Sequence, residues 1–204
     1  VDLIISTMDT VVHPTIHTFR IHGIPNRNTH NAMNALVYKI RMNYRFREII
    51  KEYFDKKVIR IYTEKMEVED VIRNLSEILK DEDYIFDVNE YVEDVLQREV
   101  NYPTCIGDWF MLPHPLVTFA KKTAIGVAVL KEPLNMHGKN IQLIFLLAME
   151  PKQNEKIGIL FQFFTHMALE KTSIGMLAAV ENEDEFLDVL IKISNSTEIS
   201  SPYL

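Results

Sequence analysis

Two short, almost continuous apolar segments constrain the fold of this chain most strongly. They are residues 124–130, with the sequence AIGVAVL, and 141–149, with the sequence IQLIFLLAM. Short apolar runs rich in β-branched residues predict strands, whereas a membrane-spanning helix needs about 20 apolar residues in succession. We therefore expect a sheet built around these two segments, and no membrane span.

Four other segments show the apolar spacing of amphipathic helices. They are residues 66–80, 87–98, 155–170 and 184–193. Asp87 and Glu90 stand three residues apart at the start of the second segment, as in a capping box. Arg98 falls at its end. The pattern predicts an α/β fold, with a mixed β-sheet flanked by helices.

A third strand is predicted at 174–180, after the helix at 155–170. Strand, helix and strand in this order favour a right-handed crossover connection between parallel strands. We therefore expect residues 174–180 to lie parallel to the strand at 141–149.

The first part of the chain has a different organisation. Residues 3–5 and 15–21 predict two strands, and Gly23, Pro25 and Asn26 then mark a break. Thr29 is predicted to cap the helix that follows. The charged and aromatic stretch 44–55 could extend this helix into a stiff connector. We expect one domain over residues 1–48 and another over 49–204, and the abrupt start at Val1 suggests a fragment.

Composition excludes some functional classes. The formal net charge is −7 in 204 residues, which is the wrong sign for a general nucleic-acid surface. The single cysteine, Cys105, rules out a disulfide within the chain and favours a reducing compartment. Cys105 is interpreted as a small buried residue rather than a nucleophile.

The tripeptide Pro113-His114-Pro115 is the strongest candidate for chemistry. A histidine between two prolines cannot lie inside a helix, and its backbone has few options. An imidazole is largely neutral near pH 7, so one ring nitrogen keeps a lone pair for nucleophilic attack. The plain alternative is a histidine in a surface turn without function.

The surrounding stretch 96–114, LQREVNYPTCIGDWFMLPH, resembles the active-site stretch of mannitol/fructose-type enzyme IIA domains of the bacterial phosphotransferase system. The matched elements, in order, are Arg98-Glu99, Pro103-Thr104, Gly107 and Pro113-His114. The resemblance covers residues 53–201 approximately and implies the enzyme IIA fold. It also implies that His114 accepts a phosphoryl group from the phosphocarrier protein HPr.

The resemblance makes Arg98 the candidate phosphate clamp, since a guanidinium offers several donors in a fixed fork. The plain alternative is an arginine that interacts with a helix C-terminus. No metal or other cofactor is required if the protein supplies the cationic and N–H donors itself.

Two positions depart from the family pattern. Lys156, in the stretch QNEK at 153–156, stands where mannitol-type domains carry a second histidine. Lysine can neutralise a phosphate, but it does not relay protons near neutral pH unless its pKa is strongly lowered. Transporter-type members often carry an acidic residue a few positions after the histidine, whereas this chain has LVTF at 116–119. Thr118 in this stretch is a second candidate to bind the phosphate.

The first 48 residues resemble the C-terminal part of a galactitol-type IIB domain, carried by the stretch DLIIST and the final helix. The phosphorylatable cysteine of such a domain would lie upstream of this chain. The resemblance therefore implies no IIB chemistry here.

The remaining candidates have plainer interpretations. His13 and His17 stand four residues apart, but Pro14 separates them and no carboxylate or cysteine completes a set, so no metal site is expected. His166 is predicted to be packed or interfacial. A cluster on the helix at 155–170 is assigned to the core, with a partner or a second copy of the chain as the alternative: Phe161, Phe163, Phe164 and Met167.

The leading functional hypothesis is a cytoplasmic regulator of the BglG/LicR/MtlR type, in which a IIB-like domain precedes the IIA-like domain. Phosphorylation of His114 by HPr or a sugar-specific component would then act on upstream regulatory domains of the same polypeptide. The second hypothesis is a IIA component of a sugar transporter that passes phosphate to a IIB domain. A third holds that the fold serves only for docking. None of the three hypotheses requires this chain itself to contact nucleic acid or a membrane directly.

Overall fold

The computed structural model describes residues 3–8, 16–117, 120–152 and 155–196. The chain divides into two compact units. The first extends to Arg45 and the second runs from Phe46 to Ser196. The assignment of residues 1–48 to a IIB-like domain stays a prediction.

The first unit contains two parallel strands and the start of a long helix. Strands β1 (Leu3–Ser6) and β2 (His17–Arg20) pair in parallel, which confirms strands within the two predicted segments. The helix begins at Arg27, and Thr29 is not its cap. The side-chain oxygen of Asn26 accepts a hydrogen bond from the Thr29 backbone N–H at 3.0 Å. Asn26 caps the helix because it stands three residues before that N–H group.

Helix α1 (Arg27–Tyr53) continues well beyond the first unit. This confirms that the stretch from residue 44 onwards extends the helix. Its last two turns belong to the second unit, where apolar side chains on one face are buried: Phe46, Ile49, Ile50 and Tyr53.

The second unit is built on a five-stranded sheet. Its strands are β3 (Ile59–Tyr62), β4 (Cys105–Ile106), β5 (Phe110–Met111), β6 (Ala124–Met136) and β7 (Lys139–Ala148). The spatial order is β3-β6-β7-β5-β4. The pairs β3–β6 and β5–β7 are parallel, whereas β6–β7 and β4–β5 are antiparallel. The predicted mixed sheet is therefore confirmed, with the two apolar segments at its centre.

Among the described residues, five further α-helices accompany this sheet. They are α2 (Val68–Asp81), α3 (Val88–Asn101), α4 (Glu155–Leu169), α5 (Lys171–Ala179) and α6 (Glu183–Ser196). The start of α3 confirms the predicted cap, because the Asp87 carboxylate accepts a hydrogen bond from the Glu90 backbone N–H at 3.0 Å. In the described parts of the chain, no helix combines the length and the apolar character that crossing a membrane requires.

Alternate residues of β7 pack into two different layers, as the period of a strand requires. Ile144 and Leu146 belong to the core that also holds the apolar faces of α2 and α3. Phe145 instead contacts an aromatic cluster, with ring centroids 5.8 Å from Phe110 and 4.9 Å from Phe164. The sheet is therefore covered on both faces, and the stretches 124–130 of β6 and 143–148 of β7 are buried.

The aromatic face of α4 is mostly core, as predicted. Phe163, Phe164 and Met167 are at most 1% exposed, whereas Phe161 is 36% exposed. His166 packs against Phe46, with ring centroids 6.3 Å apart.

The predicted strand at 174–180 is wrong, because these residues form most of helix α5. Its buried residues, Ser173, Ile174, Leu177 and Ala178, recur at helical rather than alternating spacing. The Lys131 ammonium donates to the Val180 carbonyl at 2.6 Å and also reaches the Ala178 and Ala179 carbonyls. A lysine on a neighbouring strand thus binds the end of this helix, which local sequence does not reveal.

The predicted crossover after the strand at 141–149 fails for the same reason. Strand β7 instead pairs with β6 in an antiparallel hairpin. His137 and Gly138 form its turn with φ values of 52° and 78°. A positive φ costs glycine little, so the Gly138 position favours this tight reversal.

Candidate functional site

His114 follows the short strand β5, which lies beside the central strand β7. Phe110 and Met111 pair with β7, and the Leu147 backbone N–H then donates to the Pro113 carbonyl at 2.9 Å. Pro113 and Pro115 are buried, while His114 is half-buried. The two prolines therefore fix the backbone against β7 and leave the imidazole between them partly accessible.

The orientation of the His114 ring follows from one hydrogen bond. Its Nδ1 lies 2.8 Å from the Leu112 carbonyl oxygen, which can only accept. Nδ1 therefore carries the proton in the neutral ring, and Nε2 carries the lone pair. Burial lowers the pKa of His114, and the nearby Arg98 charge lowers it further, against opposing contributions from the Leu112 bond and Glu99. The ring is thus neutral at pH 7.

Arg98 is brought to the same site from the last turn of α3. Its side chain is 17% exposed, and its Nη1 donates to the Tyr102 carbonyl at 2.8 Å. Burial is the main cause of the lowered pKa of His114, and the charge of Arg98 contributes to it. A rigid guanidinium beside a neutral imidazole suits the binding of an anion that reacts there.

Glu99 is a buried residue of the site. The sequence patterns assigned no separate role to this glutamate. It is 2% exposed, and its two carboxylate oxygens accept hydrogen bonds from Thr104. Oε2 accepts from the Thr104 backbone N–H at 2.9 Å, and Oε1 accepts from the hydroxyl at 2.5 Å. The matched pairs Arg98-Glu99 and Pro103-Thr104 are therefore joined in space.

Asp94 was missed by sequence reasoning. Its Oδ2 accepts a hydrogen bond from the Val117 backbone N–H at 3.0 Å, so it holds the segment that follows His114. Asp94 stands four residues before Arg98, and helical spacing could have placed both on one face of α3. Helix α3 thus contacts the chain on both sides of the histidine.

Lys156 lies in the first turn of α4, where it pairs with Glu52 of α1. Its ammonium is 2.5 Å from the Glu52 carboxylate, and both side chains are about half exposed. The hydrogen bond to Glu52 raises the pKa of Lys156, so the side chain remains a fixed cation at neutral pH. Thr118, the other candidate to bind the phosphate, lies outside the described residues.

The remaining candidate positions have structural surroundings. Cys105 lies half-buried on β4 against the core, and burial raises the pKa of its thiol. His17 lies on β2, while His13 falls outside the described residues. Within the ranges that the structure covers, no group of three or more His, Cys, Asp or Glu side chains is placed to hold a metal ion.

The lowered pKa of His114 predicts a pH dependence of stability. As pH falls below the ordinary value of 6.5, the unfolded chain takes up a proton on this histidine while the folded chain does not. This group therefore reduces the free energy of unfolding as the solution is acidified through 6.5 towards its folded pKa. Urea titrations at pH 7.5 and 5.5 should show a smaller loss for His114→Asn than for the wild type. Equal losses in the two proteins would contradict the prediction.

Comparison with known proteins places this site in a family. Residues 52–193 match the family model described as phosphoenolpyruvate-dependent sugar phosphotransferase system, EIIA 2. The chain is similar to the probable licABCH operon regulator of Bacillus subtilis (strain 168), at 24% identity over 70% of this chain and 22% of that protein. It is also similar to the fructose-specific EIIABC component of the same organism, at 27% identity over 69% of this chain and 23% of that protein. The chain thus spans less than a quarter of either relative.

Solved structures agree with the family model. The complex of enzyme IIAMTL and phosphorylated enzyme IIBMTL from Escherichia coli matches with a TM-score of 0.57 and 24% identity, covering 68% of this chain and 99% of that chain. This likeness confirms the expected fold. Because the family model matches well over half of the residues, the chain belongs to the type-2 EIIA family of the phosphoenolpyruvate-dependent sugar phosphotransferase system.

Proposed function

We propose that His114 accepts a phosphoryl group on Nε2 from phosphorylated HPr. The observation that carries this proposal is the hydrogen bond from Nδ1–H to the Leu112 carbonyl, which leaves the Nε2 lone pair available on a neutral ring. This lone pair forms the new N–P bond. The nitrogen of HPr that carried the phosphoryl group keeps the electron pair of the N–P bond that breaks. Arg98 stabilises the charge of the phosphoryl group during transfer.

The surface beside His114 suits a protein partner. Leu116 and Val117 follow Pro115 and are 63% and 59% exposed. Tyr102, whose carbonyl binds Arg98, is 67% exposed. Exposed apolar side chains around a reactive group favour docking of another protein, here HPr or a IIB domain.

The proposed role is regulatory: phosphorylation of His114 would control a cytoplasmic, sugar-responsive transcriptional regulator or antiterminator. The likeness to the licABCH operon regulator supports this role. So does Lys156, because an ammonium held by Glu52 does not exchange protons as a second histidine would. The charge added at His114 would alter the packing of regulatory domains elsewhere in the same polypeptide.

The alternative role is that of a transport component which passes the phosphoryl group to a IIB domain. The likeness to the fructose-specific EIIABC component favours it. The two roles differ in the fate of the phosphorylated chain when a IIB acceptor is added. The regulatory role predicts slow loss of the label from His114, and the transport role predicts rapid loss.

The acceptor reaction is tested by incubating the chain with phosphoenolpyruvate, enzyme I and HPr. Mass spectrometry at alkaline pH, which preserves acid-labile phosphoramidates, should show one added phosphoryl group on the peptide that contains His114. A control reaction without HPr should show none. An unlabelled chain, or a label on another residue, would contradict the proposal.

Replacement of Lys156 tests how much its charge contributes. Lys156 is about half exposed and already paired, so solvent and Glu52 screen its charge. We expect Lys156→Ala to lower the rate of phosphoryl labelling by less than about fivefold. Stopped labelling reactions with phospho-HPr measure this rate, and Lys156→Arg, which keeps the charge, is the matched control. A loss of more than about 100-fold in the alanine variant would show that Lys156 is essential for transfer, contrary to this expectation.

A further inference from the structure

Glu99 is connected to the His114 ring through three successive hydrogen bonds. Its Oε2 accepts from the Thr104 backbone N–H at 2.9 Å. The Thr104 carbonyl accepts from the Leu112 backbone N–H at 3.3 Å. The Leu112 carbonyl then accepts from His114 Nδ1–H at 2.8 Å. The carbonyl that sets the tautomer of the histidine is thus held in place by a segment that Glu99 anchors.

The burial of Glu99 shows how strongly this connection is constrained. A carboxylate that is 2% exposed is costly unless hydrogen-bond donors surround it, and Thr104 supplies two. The same carboxylate lies 3.8 Å from Arg98 Nη1. One buried group therefore contacts both the segment that orients the imidazole and the guanidinium beside it.

We propose that Glu99 is a positioning residue for phosphoryl transfer: by holding Thr104 it fixes the Leu112 carbonyl, and thereby keeps the proton of His114 on Nδ1 and the lone pair on Nε2. The proposal rests on His114 being the phosphoryl acceptor. Its effect on the ring, however, exists without any phosphoryl donor. The charged groups that act on this ring are Arg98 and Glu99 itself, and their effects on its pKa oppose each other.

The test reads the tautomer of His114 directly, by ¹⁵N chemical shifts of the imidazole nitrogens in the unphosphorylated chain above pH 7. In the wild type, Nδ1 should give the protonated signal and Nε2 the unprotonated one. In Glu99→Gln, the neutral side chain loses charge-assisted acceptance from Thr104, and a mixture of both tautomers should appear. The labelling rate by phospho-HPr should fall on the order of tenfold or more, because misplacement of a reacting group by about 1 Å costs up to 100-fold.

Three further variants separate positioning from general stability. Thr104→Val removes the hydroxyl bond to Glu99 Oε1 but keeps the backbone N–H bond to Oε2 and the charge of Glu99, so it should shift the tautomer in the same direction but to a smaller extent. Thr104→Ser restores the hydroxyl and should restore the wild-type signals. Asp87→Asn alters another carboxylate that binds a backbone N–H, at the start of α3, but it lies outside the series of bonds and should leave the tautomer unchanged.

The outcomes are distinct. Wild-type tautomer signals in both Glu99→Gln and Thr104→Val, with only a lower melting temperature, would overturn the positioning role. If Glu99→Gln fails to fold, Thr104→Val and Thr104→Ser still decide it. A tautomer shift in a chain whose wild type is never labelled would support the positioning of the ring while contradicting its proposed function.

Discussion

Replacing His114 with asparagine is expected to abolish phosphoryl labelling, with a fall in rate of at least about 10³-fold. Asparagine keeps a side-chain donor for the Leu112 carbonyl but has no nitrogen lone pair that could attack phosphorus. The local hydrogen bond can therefore survive while the nucleophile is lost. The measurement is the initial rate of labelling by phospho-HPr, with circular dichroism to show that the fold is retained.

His137→Asn is the matched control for this variant. His137 is exposed in the β6–β7 turn with a φ of 52°, a conformation that asparagine adopts readily. Its replacement should leave labelling at the wild-type rate. If His137→Asn abolished labelling and His114→Asn did not, the acceptor would have been assigned to the wrong histidine.

Loss of Arg98 is expected to have the second-largest effect. Arg98→Ala should lower the labelling rate by about 10²–10³-fold, the usual cost of removing one preorganised donor from a site of charge development. The geometry contributes to this effect: Nη1 of the guanidinium donates to the Tyr102 carbonyl at 2.8 Å and lies 3.8 Å from the Glu99 carboxylate, so its position is fixed before a phosphoryl group arrives. Rate measurements at saturating and at low phospho-HPr separate weaker docking from slower transfer.

Arg98→Lys distinguishes charge from geometry. Lysine keeps a cation but not the planar fork of donors, so its rate should fall between those of the wild type and the alanine variant. A wild-type rate in Arg98→Ala would show that the guanidinium does not assist transfer. Arg98 would then be an arginine that only interacts with the C-terminus of helix α3.

The sequence predicted the central features of the fold because they depend on local patterns. The apolar runs of β6 and β7, the helical spacing of α2 and the cap at Asp87 all report on neighbouring residues. Helix α5 was mistaken for a strand because its short apolar run fits either structure. Its end is bound by Lys131, which stands about 50 residues earlier and which no local pattern includes.

The candidate site, like the fold, could be predicted only in part from the sequence. The proline-bracketed histidine and the arginine at a helix end are both readable from the sequence, and in the structure the charge of Arg98 adds to the effect of burial in lowering the pKa of His114. The tautomer of His114 was not predictable, because it depends on a backbone carbonyl two residues away. The ion pair of Lys156 with Glu52 joins residues 104 positions apart, so only the tertiary structure reveals it.

The most direct test of the account is to identify the imidazole nitrogen that carries phosphorus in the phosphorylated chain. A ³¹P–¹⁵N correlation experiment on the ¹⁵N-labelled protein, kept at alkaline pH, reports this atom. We predict a phosphorus coupling to Nε2 of His114, with Nδ1 still protonated and bound to the Leu112 carbonyl. Phosphorus on Nδ1, or on any other residue, would contradict it.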